Sequence, residues 1–247
     1  MPSSTRFIIL AAPRTGSNLL CTLLNSHPEV LCHHELFNPN GVFYALDYRG
    51  GTLDFGSIAQ RDREPFEFLQ RVWENPEGAS CIGFKMTRGQ NEAVMRSLIE
   101  DAGVLKIVLH RRNRLKTYVS EQLARQTDRW EVYAKDELPT DTPRLRVDAE
   151  AFKAHCDLNE HYYQDIEHAL HSGQQPWIET AYEDILTAPE HVRLLEFLGV
   201  GATEARLMQS SIKQNDTDLR TLIENFGELE LALEGSEYLA ELYESEH

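Results

Sequence analysis

Arg14-Thr15-Gly16-Ser17-Asn18 puts a fixed charge, two hydroxyls, an amide and a glycine on five consecutive residues. An apolar run from Phe7 breaks just before them at Pro13, and Leu19, Leu20, Leu23 and Leu24 follow at helical spacing. The pattern predicts a strand, a tight loop and a helix N-terminus. Such a loop aims backbone N–H groups and the positive helix end at one spot, which suits a phosphate or sulfate. Gly16 allows close backbone approach, Ser17 or Asn18 can cap the helix, and Arg14 offers a planar fork of donors. The nucleotide-triphosphate loop GxxxxGK[ST] is absent, because no lysine precedes the helix.

Two further segments carry the same logic. Val104–His110 is an apolar, β-branched run, followed by Arg111-Arg112-Asn113 and by helical spacing at Leu115, Tyr118, Val119 and Leu123. Arg112 therefore stands where a strand empties onto a sheet edge, and Ser120 lies two turns into the next helix, roughly 10 Å along it. The third segment is Trp177-Ile-Glu-Thr-Ala-Tyr-Glu-Asp-Ile-Leu-Thr-Ala-Pro189. Glu183 or Asp184 is expected to serve the N-terminus of the helix that follows, where negative charge is stabilising.

These three stretches, with HPEVLCHHELFN, the GFK strand end and the late KQN…IENFGEL, resemble the sulfotransferases that use 3′-phosphoadenosine-5′-phosphosulfate (PAPS). Among these the chain is most similar to the bacterial carbohydrate enzymes of the nodulation-factor and trehalose type. The resemblance covers about half the chain, in order. It implies that Arg14, Thr15, Gly16, Ser17 and Asn18 hold the 5′-phosphosulfate, and that Arg112 and Ser120 grip the 3′-phosphate. Tyr182 would pack near the adenine, and Lys213 and Gln214 would close over the donor from the tail. Glu35 inherits the place of a catalytic base that takes the acceptor's proton. Lys85, at a strand end, would touch the sulfate or the acceptor; the alternative is a snorkelling lysine. His33 and His34 compete with Glu35, and His33 would share its side if the strand persists that far.

Two departures set the chain apart from the hormone- and phenol-sulfating enzymes. Arg14 stands where those carry Lys, and their catalytic His has no match, since Lys85-Met86-Thr87 is followed by Arg88. Gln126, Thr127 and Trp130 end the helix that carries Ser120; Trp130 could stack on a sugar ring or fill core. For each of the other site assignments a structural role is the competing reading: Arg112 as a helix-start residue, Ser120 as a solvated one, Tyr182 as a core aromatic.

The 247 residues fit one α/β domain, 1–247, with a P-loop-like, mostly parallel sheet flanked by helices on both faces. Strands are expected at 6–12, 29–32, 80–86, 104–110 and 176–181. Helices are expected at 17–26, 64–75, 90–101, 113–129, 148–171 and 183–198, with a helical tail. Stretches 38–80 and 131–172 carry no family motif and are read as acceptor-side or peripheral insertions, with 38–62 irregular and 131–147 a long loop.

The net charge of −16 disfavours a nucleic-acid partner. Lys106, Arg111, Arg112, Arg114, Lys116, Arg125 and Arg129 crowd one strand–helix unit, which predicts a basic pocket in an acidic surface. No run approaches eighteen apolar residues, so no membrane span is expected, and the absence of a secretory signal suggests a cytoplasmic protein. The cysteines (Cys21, Cys32, Cys81, Cys156) lack metal spacing and read as buried thiols; no metal is expected. The function implied is sulfuryl transfer from PAPS to a hydroxyl of a small molecule, carbohydrate or glycolipid, yielding adenosine 3′,5′-bisphosphate. A P-loop kinase and a non-catalytic nucleotide-binding protein are the alternatives. Oligomeric state is not readable, and a homodimer stays open.

Overall fold

The computed structural model describes residues 4–51, 53–131, 143–201, 207–208 and 218–244. Five strands form one parallel sheet in the order β2-β3-β1-β4-β5: β1 (Thr5–Ala11), β2 (Val30–His33), β3 (Cys81–Thr87), β4 (Val104–His110) and β5 (Trp177–Ala181). Strand β1 is central and pairs with β3 along Thr5↔Cys81 to Ala11↔Thr87, and with β4 along Arg6↔Val104 to Ala11↔Leu109. Its alternating side chains explain why it is apolar without a break from Phe7 to Ala11. Ile8 and Leu10 enter one core with residues of helices α3 (Pro65–Trp73), α4 (Glu92–Glu100) and α6 (Ala149–Ser172). Phe7, Ile9 and Ala11 enter the other with α1 (Ser17–Asn25) and α7 (Ala188–Leu198). A parallel sheet covered on both faces needs apolar residues on both.

The chain leaves β1 towards β2 and β3, then crosses back to β4 on the other side. The carboxyl ends of β1 and β4 thus flank a topological switch point, where open α/β sheets bind ligands. Helix α5 (Arg114–Thr127) follows β4, and α8 (Leu219–Leu222) and α9 (Phe226–Ala232) pack with it and α6 around a third core that includes Leu115, Phe152, Leu222 and Leu229. No described helix is long and apolar enough to cross a membrane.

Three expectations are corrected. The irregular stretch 38–62 contains the start of α2 (Ile58–Arg63), opened by a capping box between Ser57 and Gln60. Helix α7 begins at Ala188 rather than at 183, because Pro189 fits only the first turn and sets the start behind Thr187. Glu183 and Asp184 therefore do not serve that helix's N-terminus. The basic cluster on β4–α5 is also dispersed. Lys106 is buried at the other end of the sheet and donates to Asp101 O at 2.6 Å. Arg114 pairs with Glu237 and Glu241, Lys116 donates to Glu244 O, and Arg125 pairs with Glu121. The acidic tail packs on α5 and takes the charges of Arg114 and Lys116.

Candidate active site

Between β1 and α1 the backbone turns through Arg14 (φ 64°) and Gly16 (φ 88°), two left-handed positions two residues apart. Thr15 Oγ1 donates back to Ala12 O at 2.8 Å and pins the turn. Gly16 is the N-cap residue of α1, and no side chain caps the first turn. Ser17 and Asn18 do not cap it as expected; both point to Lys85 instead. An uncapped helix start beside a turn of this kind is an anion-binding concavity. Tyr163, from α6, fixes where the loop leaves the sheet. Its hydroxyl accepts from Ala12 N at 2.8 Å and donates to Leu109 O at 2.7 Å.

Arg14 lies across this concavity. Its Nε donates to Ser120 Oγ at 2.9 Å, its Nη1 donates to Trp130 O at 2.5 Å, and its carbonyl accepts from Arg111 Nη1 at 3.2 Å. Burial, then the charge of Arg111, lowers the Arg14 pKa to about 10, so the guanidinium is still charged at neutral pH. Arg111 sits 4.6 Å above the Tyr182 ring, and that ring closes on Gly16: a Cβ built there would stand 2.3 Å from Tyr182 Cδ2. Gly16 is therefore required twice, for its φ and for the aromatic laid against it.

Arg112 and Ser120 reach the same sheet edge but are not in contact with each other there. Ser120 Oγ accepts from Arg14, while the Arg112 guanidinium forms a two-pronged pair with Asp184, Nη1 to Oδ1 at 3.0 Å and Nη2 to Oδ2. Glu183 Oε1 accepts from Arg112 N at 3.1 Å. The acids of the third motif thus steer Arg112. That side chain is 59% exposed, open to exchange Asp184 for another anion.

Glu35, just beyond β2, is the most fully bonded carboxylate of the site. Oε1 pairs with Lys85 Nζ at 2.8 Å, and Oε2 accepts from Asn38 Nδ2 at 2.5 Å and Gln90 Nε2 at 2.8 Å. Burial alone would raise its pKa; the Lys85 charge and the three hydrogen bonds outweigh that and hold it below the ordinary carboxylate value. Lys85 is buried rather than snorkelling. Its Nζ also donates to Ser17 Oγ at 3.3 Å and to Asn18 Oδ1, joining the carboxylate to the phosphate-type loop.

The histidines divide differently from the expectation, because β2 ends at His33 and the alternation stops. His33 points away, into Tyr44, Tyr48 and Phe55, with Nδ1 accepting from Ala45 N at 3.1 Å and burial lowering its pKa to about 4. His34 lies on the Glu35 side, 3.2 Å from Asn18 Oδ1. Burial, aided by the Lys85 charge, pushes its pKa well below the usual value, so it is neutral at neutral pH. Trp130 is 43% exposed and is not a core residue. Lys213 and Gln214 lie outside the described residues. All four cysteines are buried and free.

Sequence reasoning missed Asn38, Gln90 and Arg61. Arg61, on α2, is 2% exposed, and its Nη1 donates to the carbonyls of Leu36 (2.9 Å), Asn38 (2.7 Å) and Gly41 (2.9 Å). It clamps the loop that presents Asn38 to Glu35. An arginine in a charged Gln60-Arg-Asp-Arg63 run carries no local sign of burial.

The chain is 28% identical over 244 residues to nodulation protein H of Rhizobium tropici, covering 96% of this chain and 93% of that one. Nodulation protein H of Rhizobium meliloti strain 1021 is 27% identical over 239 residues, covering 94% and 92%. This end-to-end similarity joins the three motif segments, now gathered at one sheet edge. No family model matches the chain. A solved sulfotransferase from Alicyclobacillus acidocaldarius aligns over 96% of this chain and 93% of its own at a TM-score of 0.47 and 14% identity. In this chain the loop, Arg14 and Lys85 form one cationic face, and Glu35 is an ionised carboxylate one side chain away. Such a constellation can hold an anionic group and take a proton from a nearby hydroxyl.

Proposed function

We propose that this chain is a sulfotransferase that uses PAPS as donor and a carbohydrate or glycolipid hydroxyl as acceptor, with Glu35 as the base. The observation that carries the reading is the position of Lys85 Nζ, bonded at once to Glu35, Ser17 and Asn18. The N–H groups of Thr15, Gly16, Ser17 and Asn18 cradle the 5′-phosphosulfate. Arg112, released from Asp184, and Ser120 take the 3′-phosphate, Tyr182 lies by the adenine, and Lys213 and Gln214 close from the tail. The acceptor oxygen attacks sulfur in line as the bond from sulfur to the bridging phosphate oxygen breaks. The hydroxyl proton passes to Glu35, and adenosine 3′,5′-bisphosphate leaves with its new charge facing Arg14 and Lys85. Catalysis is then positioning and charge stabilisation, and losing one preorganised donor costs ~10²–10³ in rate. The reading includes no metal or nucleic acid and a cytoplasmic location; a homodimer is tested by sedimentation.

Calorimetry with adenosine 3′,5′-bisphosphate tests the donor assignment. Arg112→Ala is expected to weaken binding at least tenfold, while Glu35→Gln binds normally and loses transfer of labelled sulfate. A wild-type chain that gives no heat with the bisphosphate overturns the reading.

A further inference from the structure

The two stretches without family motifs meet at one ion pair. Arg49, from 38–80, donates through Nη1 to Glu131 Oε2 at 2.9 Å, where 131–172 begins. That pair connects inward through a line of polar contacts. Glu131 Oε1 lies 3.9 Å from His34 Nδ1, which lies 3.2 Å from Asn18 Oδ1, and Asn18 bonds to Lys85, which bonds to Glu35. The middle of the line is buried and its outer end is open: side chains are 3% exposed at Lys85 and 0% at His34, then 22% at Glu131 and 30% at Arg49. At the outer end stands Trp130, held in place by its carbonyl on Arg14 and with its ring in solvent.

We infer that Trp130, Glu131 and Arg49 form the acceptor subsite, and that it takes an uncharged polyhydroxylated ring. The ring would lie on the Trp130 indole, and its hydroxyls would be read by the carboxylate and guanidinium of the ion pair, leaving one hydroxyl directed inward to Glu35. This rests on the sulfotransferase reading and extends it to the class of acceptor. An indole face is apolar with a polar edge, matching the C–H face of a sugar. A fixed carboxylate–guanidinium pair presents acceptors and donors side by side, matching vicinal hydroxyls. Charge selects for neutrality: Lys85 is matched by Glu35, Arg49 by Glu131, His34 is neutral, and Arg14, bonded to the Trp130 carbonyl, is taken by the donor in this reading, so the line offers an anionic acceptor no surplus cation.

The test uses the full-length protein saturated with adenosine 3′,5′-bisphosphate and titrated with cellobiose, trehalose and a glucuronate-containing disaccharide, read by tryptophan fluorescence and calorimetry. A neutral disaccharide is expected to bind, Trp130→Ala to weaken it roughly tenfold or more, and Glu131→Gln and Arg49→Met to weaken it severalfold. Bisphosphate affinity stays at the wild-type value in all three, and Glu35→Gln keeps disaccharide binding while losing turnover. Unchanged disaccharide affinity in Trp130→Ala and Glu131→Gln, a preference for the glucuronate, or no binding of any neutral disaccharide overturns the subsite. Failure of the bisphosphate itself to bind the wild type would instead sink the donor reading, so the two failures are distinct.

Discussion

Gly16→Ala is the sharpest probe of how the phosphate-type loop is held. The new methyl would stand 2.3 Å from Tyr182 Cδ2 and 3.0 Å from Cε2, so the ring must move. Holding an L-residue in the left-handed region costs about 1–2 kcal/mol. Displacing the ring gives up the Arg111 contact at 4.6 Å, about 0.5–1 kcal/mol. Together the loss is about 1.5–3 kcal/mol, or roughly 3–12 °C in Tm for a chain of this size. Urea unfolding of the wild type, Gly16→Ala, Tyr182→Ala and the double variant separates the two causes. Removing the ring abolishes the clash but leaves the backbone strain, so the double variant should be more stable than the sum of the singles predicts, by about 0.5–1 kcal/mol. Strictly additive losses would refute the close packing of Tyr182 on the loop.

Asp184→Asn should raise affinity for adenosine 3′,5′-bisphosphate by up to roughly fivefold in calorimetry, since an exposed pair of about 1 kcal/mol or less no longer competes for Arg112. Arg61→Met should raise the pKa of Glu35 towards its ordinary value, because Asn38 loses its fixed place; ¹³C-carboxylate NMR titration of the ligand-free protein reads this, and an unmoved titration would refute the clamp. Acid should destabilise the fold through His33. Its folded pKa, about 4, lies below the unfolded value of 6.5, so this stability is fully present above pH 6.5 and is lost as pH falls towards 4. The amount lost between pH 7 and pH 5 is about 2 kcal/mol, measurable as a falling urea midpoint that His33→Gln flattens.

The strands were legible because a sheet buried on both faces leaves long apolar runs, unbroken in Phe7–Ala12 and interrupted only by Lys106 between Val104 and Leu109. The loop residues were legible because Gly16 and Arg14 have few other reasons to stand between such a strand and helix. What the Arg112 and Ser120 side chains do before a ligand arrives was not legible. Each finds a partner, Asp184 and Arg14, whose proximity depends on how β5 and the first loop pack beside β4. The same holds for Gln90, which reaches Glu35 across 55 residues of chain. Periodicity reports burial along one element, whereas these contacts join the ends of several. The histidine assignment failed for a local reason: alternation holds only within a strand, and β2 is four residues long.

The Tyr163 hydroxyl, shared between Ala12 and Leu109, behaves like one extra rung laid across the frayed tips of two neighbouring strands. A parallel pair splays once its ladder ends, and the gap that opens would let each tip wander on its own. Bolted to a single phenol on a 24-residue helix, the turn after β1 and the arginine corner after β4 share one hinge post. A visitor anchored at both corners would meet a separation set in advance, and any tug on that helix would shift the pair in concert.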